Sequence, residues 1–437
     1  SIEQVRQAAD IVEVVSGYVE LKKRGRNFFG LCPFHSEKTP SFSVNPEKQI
    51  FKCFGCGAGG GSINFIMEKE NIEFVDAIKH LAKTFNITLE ISGGDNKEYS
   101  NLKSQLIGIH EITSHHYHSQ LFNTSAGAKA LLYLTERGLT ENTIKKFRVG
   151  FSLNSFDNVL KLLQKESFST KAMKLSGLFA ERDKGYYDRF RSRIMFPIQN
   201  QKNDVIAFGG RIFDKDDAAK YQNSPETPIY VKSNVLYGIS HNVQHIRDAK
   251  KIILVEGYMD LLQLVQAGIK NCLAISGTAF TEGHTAILKR FTDNIYITFD
   301  GDDAGEKAAI RCGYILVSNS LSPKIITPPS GMDPDDWIRE KGKDEFNNSL
   351  TEAQSVIKGH YSYFSNNAPE GSLGINEFIQ ECLNELIQIQ DPIIQELMIK
   401  ELSELTSIDQ KNITQVLNEK RNKRDRFKTK IKEDDRP

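Results

Sequence analysis

The sequence predicts a multidomain α+β protein. In order, it reads as an N-terminal ribbon of antiparallel strands with helices, a mixed α/β basic subdomain, a parallel-sheet α/β subdomain and a C-terminal helical subdomain. Three observations predict this. Two cysteine-bearing turns sit among short strand patterns rich in glycine and phenylalanine before residue 62. Strand and helix patterns alternate from 250 to 330, the mark of a parallel sheet with helices on its faces. Helical periodicity dominates 102–180 and returns over 371–419.

At 437 residues the chain exceeds what one hydrophobic core organises, so about two to four domains are expected. Lysine plus arginine and aspartate plus glutamate balance at 56 each, which argues against a uniformly basic nucleic-acid coat. Local basic patches facing acidic sites remain open. No stretch approaches the roughly 20 apolar residues of a membrane span, so no membrane partner is expected. The opening SIEQVRQAAD does not read as a signal peptide, and Ser1 implies an initiator methionine ahead of it. Cys32, Cys53 and Cys56 cluster with His35, whereas Cys272, Cys312 and Cys382 scatter as small buried hydrophobes. That division fits a reducing compartment and one metal site better than a disulfide framework.

Residues 1–91 form the first expected domain. A short amphipathic helix (Val5, Ala8, Ile11, Val12, Val15) leads into strands and turns from about Val19 to Gly61. A helical pattern follows from Ser62 to Phe85. The segment SGGDNKEYSN, 92–101, reads as a linker. A basic subdomain over 102–245 begins helical, with turns near Gly138 and Gly150, then passes to strands in RIMFPIQ and DVIAFGGRIF. Within 246–345, KIILV, NCLAIS, NIYITFD and KIITPP read as strands separated by helices. Residues 346–419 are helical, with Phe378, Leu383, Leu386 and Leu402 among the apolar positions. The basic run 420–437 reads as a solvated tail or a linker.

Cys32-Pro-Phe-His35 and Cys53-Phe-Gly-Cys56 are two tight turns, each able to aim two soft ligands at one centre. Three thiolates and one imidazole close a tetrahedral Zn²⁺ site with no open position, so the metal is structural and the domain is a zinc ribbon. Lys22, Lys23, Arg24 and Arg26 precede Phe28 and Phe29, and Phe42 and Phe51 lie in the strands between the knuckles. Cations and aromatic faces suit single-stranded nucleic acid, although the same phenylalanines could pack a small sheet.

Glu256 follows KIILV and Asp300 follows NIYITF. Ligand sites in open parallel sheets lie beyond the carboxyl ends of the strands, so both acids should project into one crevice. Asp302 lies two residues on, and Asp333 and Asp335 flank Pro334 after the next strand, where they could complete the rim. Mg²⁺ takes oxygen ligands from one or two carboxylates plus substrate phosphates, and a pair of such ions can clamp an in-line displacement. The competing reading makes acids after strands helix caps, and it falls most heavily on Asp303 and Asp336.

Basic residues between Arg182 and Lys232 alternate with acids. Arg191, Arg211, Lys220 and Lys232 would track a template backbone if the strands bring them to one face, and otherwise form a solvated mixed surface. His110, His115, His116 and His118 have no acid or cysteine partner in sequence and read as a polar helix face.

EGYMD followed by DGDDAGEKAA resembles the Toprim fold of DnaG-type bacterial primases, topoisomerases and some nucleases, without choosing among them. CPFHSEKTPSFSV with FKCFGCGAGG resembles the primase zinc domain, while RFRSRIMFPI, FGGRIF, KYQNSPET and VLYGI resemble the primase basic subdomain. The similarity runs from about residue 10 to residue 345, in the family's order.

This resemblance implies a DNA-directed RNA polymerase, a nucleotidyltransferase that makes short RNA primers on single-stranded DNA for replication. It implies that Glu256, Asp300 and Asp302 hold two or more catalytic Mg²⁺ or Mn²⁺ ions, with Asp333 and Asp335 as outer candidates. It places Arg189, Arg191, Arg193, Arg211, Lys220, Lys232 and Tyr258 near nucleotide and template. The partners it implies are single-stranded DNA, ribonucleoside triphosphates, the RNA primer and the replicative helicase, with single-stranded DNA-binding protein a further candidate. The bacterial cytoplasm, at the nucleoid and replisome, is the expected location.

Two departures stand out. Gln222 replaces the family's hydrophobic residue in KYQNS, and the helicase-binding C-terminal domain is not recognisable, so a stable helicase complex is not expected. A Toprim nuclease or topoisomerase-like enzyme and a non-catalytic zinc-ribbon DNA-binding module remain as rivals.

Overall fold

The computed structural model describes residues 5, 8–34, 39–54, 59–70, 72, 74–85, 87, 93–182, 185–213, 219–277, 279–367 and 371–434. They separate into two units, Ser1–Asn101 and Leu102–Pro437.

In the first unit Asp10 starts helix α1 (Ile11–Ser16): its Oδ1 accepts the Val12 amide at 2.9 Å and the Glu13 amide at 3.1 Å. Such a cap is worth about 1 kcal/mol. Strands β1 (Lys22–Arg24), β2 (Asn27–Gly30), β3 (Phe42–Asn45), β4 (Ile50–Cys53) and β5 (Gly59–Gly60) form one antiparallel sheet in sequential order. Helices α2 (Ser62–Glu70) and α3 (Phe74–Thr84) follow.

A sheet this small has little apolar surface, and aromatic side chains supply most of it. Phe42 and Phe51 stack with centroids 5.3 Å apart, and Phe65 meets Phe51 edge-on at 5.5 Å, all three buried. Phe42 and Phe51 are therefore core. Phe28 and Phe29 stay half-buried, with the Lys23 ammonium 5.9 Å from the Phe28 ring.

The segment expected as a linker is helical from its second residue, because helix α4 runs Gly93–Asn123. Nothing from Asp95 to Ile107 is glycine or proline, and Leu102, Leu106 and Ile109 bury one face and carry the helix.

In the second unit come α5 (Ser125–Glu136), α6 (Glu141–Lys146), β6 (Gly150–Ser152), α7 (Asn158–Leu163) and α8 (Thr170–Leu175). The turn expected near Gly150 is thus strand β6. Strands β7 (Phe179–Arg182) and β8 (Gly185–Asp188) form a hairpin, and β9 (Arg193–Gln199), β10 (Val205–Ile212) and β11 (Tyr221–Asn223) follow. An antiparallel sheet has the order β11-β10-β9-β6. Every residue of β9 is buried, which is why RIMFPIQ reads as a nearly continuous apolar run.

Beyond α9 (Ile239–Ala249) the alternating pattern holds. It comprises β12 (Ile252–Val255), α10 (Tyr258–Gln266), β13 (Cys272–Ala274), α11 (Glu282–Leu288), β14 (Asn294–Ile297), α12 (Asp303–Ser318) and β15 (Ser322–Ile325). Their order is β13-β12-β14-β15 and every pair is parallel. This order puts β12 and β14 side by side in the middle.

Helices α13 (Pro334–Ser349), α14 (Val356–Asn367), α15 (Ser372–Leu386), α16 (Pro392–Thr406) and α17 (Gln410–Asp434) close the chain. Ile357, Phe378, Leu383 and Leu402 share one core with Leu254, Ile297 and Leu316 of the parallel-sheet region. The run expected as a basic tail continues α17 to Asp434, because Glu, Lys and Arg are good helix formers and no proline intervenes before Pro437. Among the described residues no helix is long and apolar enough to cross a membrane.

Phe51→Ala should destabilise the first unit by about 3–5 kcal/mol. Calorimetry should show one transition lowered and the transition of the second unit unmoved; a joint shift of both would contradict the division at residue 101.

Candidate active site

Because β12 and β14 are neighbours, the residues leaving their carboxyl ends emerge side by side. Glu256 directly follows β12, and its carbonyl accepts the Ser276 amide at 2.7 Å, which fixes the backbone there. Asp300 lies just past β14, where the Thr298 amide donates to Leu254 O at 2.9 Å. The loop beyond is tied to the next one by Gly301 N to Met332 O at 2.9 Å and Gly331 N to Gly301 O at 3.1 Å, so the aspartates of both loops face one place.

Cap roles fall one position away from where the sequence put them. Asp302, not Asp303, caps α12, accepting Gly305 N at 2.7 Å. Asp333, not Asp336, caps α13, accepting Asp336 N at 2.7 Å. Asp303 instead accepts from Tyr363 Oη at 2.6 Å and Lys307 Nζ at 2.9 Å, and Asp336 pairs with Arg339. Capping consumes one oxygen of Asp302 and one of Asp333, and among the described residues the second oxygen of each makes no hydrogen bond.

The electrostatics record how closely these acids converge. Burial, then the charges of Asp300 and Asp302, push the Glu256 carboxyl up to about 7. Burial, then Asp333 and Asp302, push Asp300 up to about 6, with Lys220 pulling the other way. Like charges held together out of water favour protonation. Glu256 Oε1 is buried without a hydrogen-bond partner among the described residues. An orphaned carboxylate oxygen among repelling neighbours fits a divalent cation.

Asp260, the last residue of EGYMD, was missed. It is buried, its Oδ2 accepts Gly257 N at 2.8 Å and its Oδ1 accepts Asp335 N at 3.3 Å. Burial, then Asp300 and Asp333, hold its carboxyl well above the usual range. Asp335 is fully buried and ion-paired with Arg137, the residue that ends α5. Ligand oxygens of Asp333, Asp335 and Asp336 lie within 4.8 Å of one another, but arginines engage two of the three. Asp335 thereby becomes a brace of the rim with only Oδ1 unpartnered among the described residues. Only the spacing of Asp260, one turn after Glu256 on a helix start, could have flagged it.

The expected basic set divides. Arg189 donates to Gly177 O at 3.0 Å and Phe179 O at 3.2 Å. Arg193 is buried and donates to Gly210 O at 3.1 Å and Ala219 O at 3.0 Å, supporting the segment that carries Lys220. Both act on backbone. Arg211 donates to Tyr221 Oη at 2.7 Å and lies against the Tyr133 and Tyr221 rings. Arg191 also donates to a carbonyl, Asp188 O at 2.7 Å, but its guanidinium stacks 4.6 Å from Phe156 and 5.3 Å from Tyr187, with Arg182 over the same two rings. Phe156 is 54% exposed, so these aromatic faces and guanidinium groups form a surface. The sequence reading passed over Phe156 and Tyr187 because they lie 31 residues apart.

Tyr258, expected near nucleotide, is buried. It stacks on Phe196 at 4.9 Å and donates its Oη to Asn223 Oδ1 at 2.8 Å, while Asn223 Nδ2 donates to Ser276 O at 2.7 Å. Gly209 permits this fit: a Cβ there would sit 2.4 Å from the Tyr258 hydroxyl oxygen. Tyr258 thus locks the antiparallel sheet to the parallel one. Three of the four histidines of α4 turn to separate partners, His110 to Leu106 O, His116 to Asn158 and His118 to Val149 O, each at 2.7 Å.

Of the four expected zinc ligands, His35 and Cys56 lie outside the described residues. Cys32 and Cys53 are buried in one core, with Phe34 N directed at Cys32 Sγ at 3.4 Å and Ser41 Oγ 3.2 Å from Cys53 Sγ. An amide aimed back at the first sulfur of a knuckle suits a thiolate ligand and fits the zinc reading.

Family models match in sequence: CHC2 zinc finger over 1–97, DNA primase catalytic core N-terminal domain over 116–243, and Toprim-like over 253–338. A fourth, DnaB-helicase binding domain of primase, matches 374–411. That match overturns the expectation that no helicase-docking module is recognisable. The module is a set of amphipathic helices, α15 and α16, whose apolar spacing looks like any core and which carries no chemical motif to notice.

The DNA primase of Listeria monocytogenes is 41% identical over 92% of this chain and 66% of its own length. That of Geobacillus stearothermophilus is 38% identical over 99% of this chain and 72% of its own. The chain therefore spans about two thirds of the length of the curated relatives it matches. The crystal structure of the Aquifex aeolicus primase zinc-binding and RNA polymerase domains aligns over 94% of this chain and 98% of that one, with 31% identity and a TM-score of 0.63.

Two outcomes are expected. Because Glu256 and Asp300 keep protons when folded that they lose when unfolded, the metal-free chain should lose stability as pH rises from about 4.5 to about 7. Melting of wild type relative to Glu256→Gln should drop by about 2 °C across this window, and Mg²⁺ should restore more at the upper end; a flat difference would contradict the cluster. Cys53→Ser should release zinc on elemental analysis and loosen residues 20–60 to hydrogen exchange, with the parallel sheet unaffected.

Proposed function

The chain belongs to the DnaG-type DNA primase family, and from that premise we propose that it is a DNA-templated RNA polymerase that lays short RNA primers on single-stranded DNA. The observation that carries this reading is the convergence of Glu256, Asp300 and Asp302 at adjoining strand ends, with Lys220 within electrostatic reach of Asp300.

The reaction joins the 3′-hydroxyl of one ribonucleotide to the α-phosphorus of the next, as the bond to the departing pyrophosphate breaks. Glu256, Asp300 and Asp302, with Asp333 and Asp335 outside them, would hold Mg²⁺ (or Mn²⁺), which would supply charge neutralisation at the triphosphate. The chain's own contribution is positioning. Asp302 and Asp333 arrive already aimed by their helix caps, and Asp260 and Arg137 brace the rim from behind. Lys220 and Lys232 present positive charge to nucleotide and template phosphates. Arg191, Arg182, Phe156 and Tyr187 offer guanidinium and ring faces to unpaired bases. Arg211, held between two tyrosines, adds a further cation. Tyr258 is buried, which supports primer synthesis over the covalent-tyrosine use of the same fold.

The zinc ribbon, closed by Cys32, His35, Cys53 and Cys56, selects the start site and retains the nascent primer. The domain limits proposed are 1–91 for the zinc ribbon, 102–245 for the basic subdomain, 246–345 for the Toprim subdomain and 346–419 for the helices, of which 374–411 dock the replicative helicase.

Labelled ribonucleotide incorporation on single-stranded DNA with Mg²⁺ or Mn²⁺ tests the reading. Asp300→Ala should lower incorporation by at least about a hundredfold while template binding stays near wild type. Full synthesis by that variant, or strand cleavage without incorporation by the wild type, would refute it.

A further inference from the structure

The turn that carries Lys232 is not fastened to its own subdomain alone. Lys232–Asn234 is a single 3-10 turn, and helix α11 of the Toprim region grips it by side-chain bonds to its carbonyls. Thr281 Oγ1 donates to Ser233 O at 2.9 Å, and His284 Nε2 lies 3.0 Å from Lys232 O. His284 is fully buried, and its Nδ1 accepts the Thr281 amide at 3.2 Å. An accepting Nδ1 leaves the proton on Nε2, so the neutral ring donates to Lys232 O. Thr281 has a single hydroxyl proton, which Ser233 O takes.

Gly283 shows how close the two elements come. A Cβ there would lie 2.2 Å from Asn234 Oδ1 and 2.5 Å from Ser233 O. Just downstream, Tyr237 and Ala274 exchange backbone hydrogen bonds at 2.8 and 3.1 Å, so the chain after the turn joins the edge of the parallel sheet at β13. Both fixings lie on the body that carries Glu256 and Asp300.

We propose that Thr281, Gly283 and His284 are positioning residues that register Lys232 to the acidic cluster, so that the cation keeps a fixed place relative to those carboxylates. The inference rests on the reading of Lys232 as a phosphate contact. A cation on a loosely held loop would still attract phosphate, but it would spend part of that attraction on becoming ordered. With the turn clamped, that ordering precedes binding.

The test uses steady-state primer synthesis by the full chain, with ribonucleotide and template titrated separately. Lys232→Ala should raise the half-saturating concentration of one or both by about tenfold. His284→Leu should raise the same constant at least about threefold, with kcat within about twofold. His284→Gln, whose amide nitrogen reaches the place of Nε2 and donates to Lys232 O, should return close to wild type. The double variant Lys232→Ala/His284→Leu should be no worse than Lys232→Ala, because the clamp acts only through that lysine.

Thr281→Val, similar in volume and lacking the hydroxyl, carries the same expectation should His284→Leu fail to fold. Wild-type constants for His284→Leu beside a raised constant for Lys232→Ala, or full additivity in the double variant, would overturn the inference alone. A silent Lys232→Ala would overturn the reading of Lys232 beneath it, and the clamp with it.

Discussion

Carboxylates that repel one another must be held together before anything can bind between them, and the second unit is organised around that cost. Asp300 feels the charges of Asp302 and Asp333 and acts in turn on Glu256 and Asp260, and burial adds to the repulsion. Isolated in water, such side chains would turn apart. Here each is tied by something other than its neighbours: strand ends, helix caps or backbone amides. The central pairing of β12 with β14 supplies the common origin. A cation placed among them replaces repulsion with attraction, so the energy stored in the arrangement becomes affinity.

That organisation reaches beyond the parallel sheet. Tyr258 and Asn223 link it to the antiparallel sheet, and Arg137 crosses from the end of α5 to Asp335. The basic subdomain therefore does more than present cations. Three of the arginines expected as nucleic-acid contacts, Arg189, Arg191 and Arg193, donate to main-chain carbonyls. These bonds shape the surface that Arg191 forms with Phe156 and Tyr187.

What could be read from the chain followed the range of the signal. Alternating strands and helices over 250–330 are local patterns, and the parallel sheet appears where they place it. Glu256 and Asp300 were legible because strand ends in a parallel sheet share a side. Whether Asp302 or Asp303 caps α12 depends on where the helix starts, and a one-residue uncertainty there exchanges the roles of neighbours. Arg137 and the Phe156 surface were invisible for a different reason: their meaning comes from partners dozens to hundreds of residues away. The helical readings erred in the opposite direction. Residues 93–101 and 420–434 have loop-like polarity in sequence, yet both lie within long helices.

The double duty of Asp302 fixes the length of its side chain twice over. One oxygen must meet the Gly305 amide at 2.7 Å, while the carboxylate stays within electrostatic reach of Glu256 and Asp300. A glutamate could satisfy either demand by swinging its extra methylene, but not both in a single rotamer. Interchange of the two acids, harmless on most surfaces, would here unseat the start of α12 or move the charge away from Glu256 and Asp300, so the choice of aspartate belongs as much to the helix as to the acidic cluster.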